Sequence, residues 1–227
     1  YCRRYMNNEH TLIGSNGLTI KDLASFWQAI AKEFSTFKNI YGYGLMNEPH
    51  DLAPETKWFD MAQASINAIR EVDTNTLIMV GGNDWSSAER WIEQSDTLKF
   101  LKDPANNLAF EAHVYFDKDA SGTYKYSYEE EECYPEKGID RVKPFVEWIK
   151  QNKFHGFIGE YGIPDNDPRW NETLDLFLGY LQENGINGTY WAAGPWWDTY
   201  FMAITPKDGK DRPQMPIIEK YTSTLKK

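Results

Sequence analysis

Cysteine is scarce in this chain: Cys2 and Cys133 are the two in 227 residues, too isolated for a metal-ligand spacing and free, on sequence grounds, either to pair or to stay reduced. His10, His50 and His155 form no spaced ligand set with each other or with cysteine, so no catalytic metal is expected. Basic residues are outnumbered, 24 Lys and Arg against 34 Asp and Glu, for a formal charge of −10. That balance works against attraction to nucleic acid or to an anionic membrane. No uninterrupted run of eighteen apolar residues is present to span a bilayer. A Gly-rich phosphate turn after the first strand pattern is also missing, which argues against a dinucleotide-binding sheet and a cofactor of that kind.

What is abundant is aromatic: 15% of the residues, including nine tryptophans and fourteen tyrosines. A core of this size needs fewer, so some rings are expected to line a surface. Hydrophobic residues make up 41% and charged residues 26%, the composition of one globular domain with a sizeable core.

The segment "YCRRYMNNEHTLIGSNG" shows neither strand alternation nor a signal-peptide core and reads as a long loop. A regular alternation follows. Thr19 with Asp22 three residues on marks a helix start, and Leu23, Phe26, Trp27, Ile30, Ala31 and Phe34 recur at helical spacing. "NIYGYGLM" is a strand pattern, and Pro54 opens a second helical one. "TLIMVGG" with a weak helix at 88–94, "NLAFEAHVYF" with a helix over 140–152, "HGFIGEYG" with a helix over 170–185, and "INGTYWAAG" with a closing helix over 215–226 complete the series. The acidic span Asp117–Lys137, with four glutamates at 129–132, reads as a solvated loop. Trp27, Trp58, Trp91 and Trp148 lie in helical patterns and are expected to pack on the sheet, while Trp196 is expected to pack beneath its neighbour.

Short apolar strands separated by amphipathic helices predict an α/β architecture with parallel strands covered by helices, and long loops after the strands match the functional face of a (β/α)8 TIM barrel. Five units are visible, so residues 1–227 are expected to form the C-terminal five-eighths of a single catalytic domain, strands 4 to 8, with strands 1 to 3 supplied by an N-terminal fragment. In such a barrel Glu48, His113, Tyr115, Glu160 and Trp191 all fall at strand ends and turn toward one mouth. Two carboxylates so placed suit the cleavage of an acetal, one donating a proton to the departing oxygen while the other attacks the sugar carbon or activates water. His113 and Tyr115, two residues apart, share a strand face. Trp85 follows a strand in a loop, and Trp191, Trp196 and Trp197 crowd another, where flat indole faces suit the C–H faces of β-linked glucose.

"YGLMNEP", "HVYFD", "GEYG" and "YWAAGPWW", in that order, resemble the signatures of glycoside hydrolase family 5, most closely its fungal-type endo-β-1,4-glucanases, and the resemblance covers essentially the whole chain. It implies a secreted, extracellular retaining enzyme acting on β-glucan, with Glu48 as acid/base, Glu160 as nucleophile and Asn47 as donor to the sugar 2-hydroxyl. It further implies His113 and Tyr115 as supports for the carboxylates, Trp191 under the sugar at subsite −1, and Trp85 and Trp197 as further platforms. β-Mannan and xyloglucan share the backbone geometry to first order and remain alternatives, as does a glycan-binding barrel fragment without turnover. An arginine near the end of strand two and a histidine at strand three, which support the nucleophile in this family, would precede Tyr1; Arg3 and Arg4 are read as solvated surface residues and not as substitutes. The sequons at Asn171 and Asn187 permit glycosylation on a eukaryotic secretory route.

Overall fold

A computed structural model describes residues 2–6 and 9–222. In chain order its elements are β1 (Arg3–Met6), β2 (Glu9–Leu12), α1 (Ile20–Phe34), β3 (Gly42–Gly44), α2 (Trp58–Arg70), β4 (Leu77–Gly81), the single turn α3 (Asn83–Ser86), α4 (Trp91–Ser95), and β5 (Leu108–Tyr115). There follow α5 (Lys137–Asn152), β6 (His155–Gly162), α6 (Arg169–Glu183), β7 (Asn187–Tyr190) and α7 (Met215–Tyr221). Strands β3 to β7 run in that spatial order. The pairing is parallel, with Gly42 beside Leu77, Ile78 beside Leu108 and Phe157 beside Asn187. Among the described residues no helix is long and apolar enough to cross a membrane.

The chain divides into two compact units, one made of the residues up to Ala112 with Trp148–Gly156, the other of His113–Glu147 with the residues from Phe157 onward. In the first, α2 buries Trp58, Met61, Ala62, Ile66 and Ile69 on one face, the spacing of an amphipathic helix. Phe110 of β5 meets Trp148 edge-on at 4.9 Å, and Trp148 meets Trp91 at 5.4 Å. Each buried indole must satisfy its N–H: Trp58 donates to the Gly81 carbonyl at 2.7 Å and Trp148 to Asp96 at 2.9 Å. In the second unit Phe116, Phe177, Leu174 and Trp170 form the core, with Tyr124 and Tyr128 edge-on to Trp170.

Thr19 caps α1 as its spacing predicts. The Asp22 amide donates to the Thr19 hydroxyl, and the Thr19 amide donates back to the Asp22 carboxylate at 2.7 Å. The helical pattern from Pro54 becomes helix only at Trp58, the pattern at 88–94 only at Trp91, and β3 is three residues long.

Two expectations are overturned. Among its described residues the N-terminal segment is not all loop: β1 and β2 pair antiparallel, Arg3 opposite Leu12 and Tyr5 opposite His10. Strand alternation reports one buried and one solvated face, and this ribbon exposes residues of both strands, so the pattern that would reveal it is missing. Nor is the span after Asp117 merely solvated. Asp117, Tyr124, Tyr128, Glu131 and Lys137 are buried. Asp117 accepts from the amides of Gly122 and Thr123, both at 3.0 Å, and Glu131 accepts from the amides of Lys118 and Tyr126. Lys137 donates to the carbonyls of Glu131 and Glu132. A charge count cannot tell a carboxylate in water from one that satisfies buried amides. Both cysteines are free thiols, and burial pushes that of Cys2 up to about 11.

Buried Asp73 makes the first unit acid-sensitive. Burial alone would raise its pKa, but donors from Thr76, Asn75 and Tyr43 outweigh that and bring it down to about 2. A depressed carboxylate contributes stability above its unfolded pKa and loses it as pH falls through the folded one. Asp73 is therefore expected to contribute about 2 kcal/mol near neutrality that disappears between roughly pH 4 and 2. Urea unfolding of the wild type and Asp73→Asn at pH 6 and pH 2 checks this: the gap between them should shrink at the lower pH, and a constant gap contradicts the assignment.

Candidate active site

Strand β3 hands directly to the turn that carries the first carboxylate. The Leu45 amide still donates to the Met79 carbonyl at 3.0 Å, holding the chain to β4, and Asn47 and Glu48 follow. Asn47 is exposed and Glu48 half-buried. Glu48 has φ of +44°, a left-handed conformation that is costly for a side chain with a Cβ and further disfavoured before a proline such as Pro49. Such backbone strain persists only where surrounding contacts hold it. His50 then places its Nδ1 2.9 Å from Asp51 Oδ2, and its ring lies flat against Trp85, 4.3 Å between centroids and 14° between planes.

Trp85 belongs to the turn after β4. Gly82 precedes it because a Cβ there would come within 2.4 Å of the Trp91 ring. Asp84, Trp85 and Ser86 all have φ between +52° and +56°, so the stretch over 83–86 that pairs like a helix is a left-handed turn and its indole stands out from the surface.

In the second unit, His113 and Tyr115 point to the same side of β5, two residues apart and both buried. The Tyr115 hydroxyl donates to Glu160 Oε2 of β6 at 2.7 Å, and His113 Nδ1 stands 3.7 Å from the same oxygen. Burial first, then the Glu160 charge, pushes the Tyr115 pKa far above its ordinary value. Tyr115 is thus a neutral donor at any working pH, and a donor fixed on one carboxylate oxygen favours the ionised form and orients the other oxygen.

Trp191 stands just past β7, its amide donating to the Tyr161 carbonyl at 2.8 Å and its peptide bond to Ala192 cis. Its ring meets Trp197 at 4.9 Å, and Trp197 meets Tyr200 at 5.0 Å. Trp196 does not pack beneath its neighbour, as expected from sequence, but is 89% exposed, because the short helical turn Pro195–Trp197 turns adjacent side chains apart. Tyr200 was not legible in the sequence. Burial raises its pKa, and the Glu160 charge also acts on it; a lone tyrosine in "WWDTYF" gives no spacing that could single it out.

A carboxylate steered by a tyrosine and a histidine, a second carboxyl on a strained strand-end turn, and protruding indoles are parts for handling a sugar chain. Comparison with known proteins bears on the same conclusion. The model of the family described as Cellulase (glycosyl hydrolase family 5) matches residues 4–196. Endo-beta-1,4-glucanase B of Emericella nidulans is 36% identical over 193 residues, 83% of this chain and 56% of its own length. Its Aspergillus niger counterpart is 33% identical over 205 residues, covering 88% and 59%. Among solved structures, Pseudomonas stutzeri endoglucanase Cel5A in complex with cellobiose superposes with a TM-score of 0.88 at 42% identity, over 97% of this chain and 65% of that one. XacCel5A in complex with cellopentaose reaches 0.84 at 37% identity, over 96% and 70%. The chain therefore spans a little over half the length of these curated relatives, and its parallel β/α units are part of a (β/α)8 barrel. By sequence and by fold, the chain belongs to glycoside hydrolase family 5.

Proposed function

We propose that this chain carries the reacting groups of a retaining endo-β-1,4-glucanase. The observation that carries the reading is the 2.7 Å bond from Tyr115 to Glu160 at the end of a parallel strand in a cellulase-family chain. One oxygen of Glu160 is occupied by that donor, and the other is the nucleophile. It attacks the anomeric carbon as Glu48 protonates the departing glycosidic oxygen, and a glycosyl ester forms. Glu48, now ionised, takes a proton from water, which hydrolyses the ester with a second inversion and returns the β-anomer. Parallel strands of a barrel bring their C-terminal ends to one face, which is the reason to pair two carboxyl groups 112 positions apart. Their expected separation is about 5–5.5 Å, the spacing for retention.

Asn47 is assigned to the sugar 2-hydroxyl, His113 to support of Glu160, Trp191 to the floor of subsite −1, and Trp85 and Trp197 to further platforms. The solved relatives bound to cellobiose and cellopentaose favour a β-1,4-glucan. None of these steps calls for a metal or cofactor. A polymeric substrate cannot enter a cell, so the working location is extracellular.

The activity is assigned to the barrel as a whole, since the relatives are longer than this chain. Phe26 of α1 is 56% exposed and β3 lies at the end of the strand order, surfaces suited to an N-terminal fragment carrying strands 1 to 3.

Proton NMR of cellopentaose hydrolysis tests the mechanism. β-Anomer should appear first and mutarotate afterwards; initial α-anomer, or no hydrolysis by the complete barrel, overturns the reading.

A further inference from the structure

A single phenol ties together the two strand ends that carry Tyr115 and Glu160. The Tyr124 hydroxyl accepts from the amide of Phe116, just past β5, at 2.9 Å and donates to the carbonyl of Gly162, the last residue of β6, at 2.6 Å. The peptide between Tyr115 and Phe116 is gripped at both edges, because Arg141 of α5 donates to the Tyr115 carbonyl and, through its other terminal nitrogen, to that of Lys118 at 3.0 Å. On β6 the tie answers a local weakness. Ile158 stands beside Gly188 of β7 and Tyr161 beside Tyr190, three steps along one strand against two along the other. Glu160 lies in that slip, where an extra residue interrupts the ladder and re-aims side chains, so pairing with β7 does not fix its direction.

Tyr124 is held in place against local preference. Its φ of +44° is an outlier for a bulky side chain, and such strain persists only where the surroundings impose it. Buried Asp117 imposes it here, accepting from the amides of Gly122, Thr123 and Tyr124 and from the Ser121 hydroxyl. Trp170 meets the Tyr124 ring edge-on at 5.0 Å, and Phe201 meets it at 6.3 Å. The same turn lies against the Tyr115 ring, since a Cβ on Gly122 would come within 2.9 Å of it. Burial first, and then the Asp117 charge, push the Tyr124 phenol well above its ordinary pKa. The bridge is therefore neutral at any working pH.

We propose that Tyr124 is a positioning residue for the nucleophile: its hydroxyl sets the spacing of the β5 and β6 ends and so keeps the Tyr115 donor on Glu160 Oε2. Tyr124 acts through Tyr115 and does not touch the sugar. The inference rests on the reading of Glu160 as nucleophile given above.

In the complete barrel, β-cellobiosyl fluoride separates this from a structural role, because fluoride leaves without a proton from Glu48 and the acid limb of kcat/KM then reports the ionisation of Glu160. Tyr124→Phe removes the bridge alone. His113 and Tyr115 of β5 and Tyr200 from the loop after β7, which act on Glu160, keep their side chains, as does Glu48 on the proposed reading. A loosened donor favours the carboxylate less, so the acid limb should move up by about one pH unit. In a Tyr115→Phe background most of that shift should disappear. A merely structural role lowers the urea midpoint and leaves the limb in place; an unmoved limb, or a shift undiminished without the Tyr115 hydroxyl, overturns the proposal. If Tyr124→Phe does not fold, Asp117→Asn, which keeps the hydroxyl and loosens its turn, carries the same test with the same overturning result. If the wild type hydrolyses neither β-glucan nor the fluoride, the enzymatic reading fails, and a carbon NMR titration of the Glu160 carboxyl, assigned with Glu160→Gln, decides this one alone. A midpoint raised in Tyr124→Phe, or in Asp117→Asn where that variant stands in, upholds the bridge; an unchanged one overturns it.

Discussion

Glu160→Ala is expected to lower β-glucan hydrolysis by at least about 10³-fold, equivalent to roughly 4 kcal/mol of barrel-assisted barrier lowering. In the proposed mechanism no glycosyl ester forms without the carboxylate, and the Tyr115 hydroxyl loses the acceptor it holds at 2.7 Å. The space left behind admits a small anion. Azide supplied with β-cellobiosyl fluoride should attack the anomeric carbon once, displacing fluoride with inversion, and yield α-cellobiosyl azide. Glu48→Ala should behave oppositely: the ester still forms from the fluoride, azide then displaces Glu160 in a second inversion, and the β-azide accumulates. On cellotetraose, whose leaving group needs its proton, the same Glu48→Ala change should cost about 10²–10⁴-fold. Product stereochemistry from each variant identifies which carboxyl plays which part, and azides of the reverse configuration would exchange the two roles.

The second large effect concerns stability. Asp103→Ala is expected to destabilise the first unit by about 3–5 kcal/mol, because it leaves the Arg70 guanidinium buried without its counter-charge. The pair is nearly sealed from water, with side-chain exposures of 3% and 2%. It is bidentate, Nε to Oδ1 at 2.7 Å and a terminal nitrogen to Oδ2 at 3.0 Å. Arg70 also donates to the carbonyls of Asp73 and Thr76. Burial works against the Asp103 charge, yet the Arg70 bonds prevail and its pKa is lowered. Urea unfolding should show a lower midpoint with unchanged slope. By contrast, Asp175→Ala, which breaks the solvent-exposed pair with Lys220, should change stability by less than about 1 kcal/mol through that pair. If Asp103→Ala were as mild, the buried pair would have no special weight.

Several features were legible from composition and spacing because they are statements about one dimension. The helical spacing from Leu23 to Phe34 and the Thr19 cap follow from which side chains recur on one face and which can bond the next turn. "HGFIGEYG" coincides with β6 residue for residue. Glu160 and the His113–Tyr115 pair were legible as strand-end residues, since a strand fixes direction and face by counting. Where strands are short and flanked by aromatics, as at β3 and β7, the same counting overran the ends.

Other features depend on partners far along the chain. The antiparallel ribbon of β1 and β2 is held by backbone bonds that no hydrophobic alternation records. Asp117 and Glu131 are acidic letters that became buried acceptors because amides converged on them. The sequence by itself determined the alternating units, the helix start at Thr19 and which carboxyl groups and rings stand at strand ends, because periodicity and local bonding need only neighbours. Only the tertiary structure decided that Tyr115 grips one oxygen of Glu160, that Glu48 and Trp85 sit on left-handed turns, and that His50 lies flat against the indole, because those states are stabilised by atoms from other elements and are unfavourable in the isolated segment.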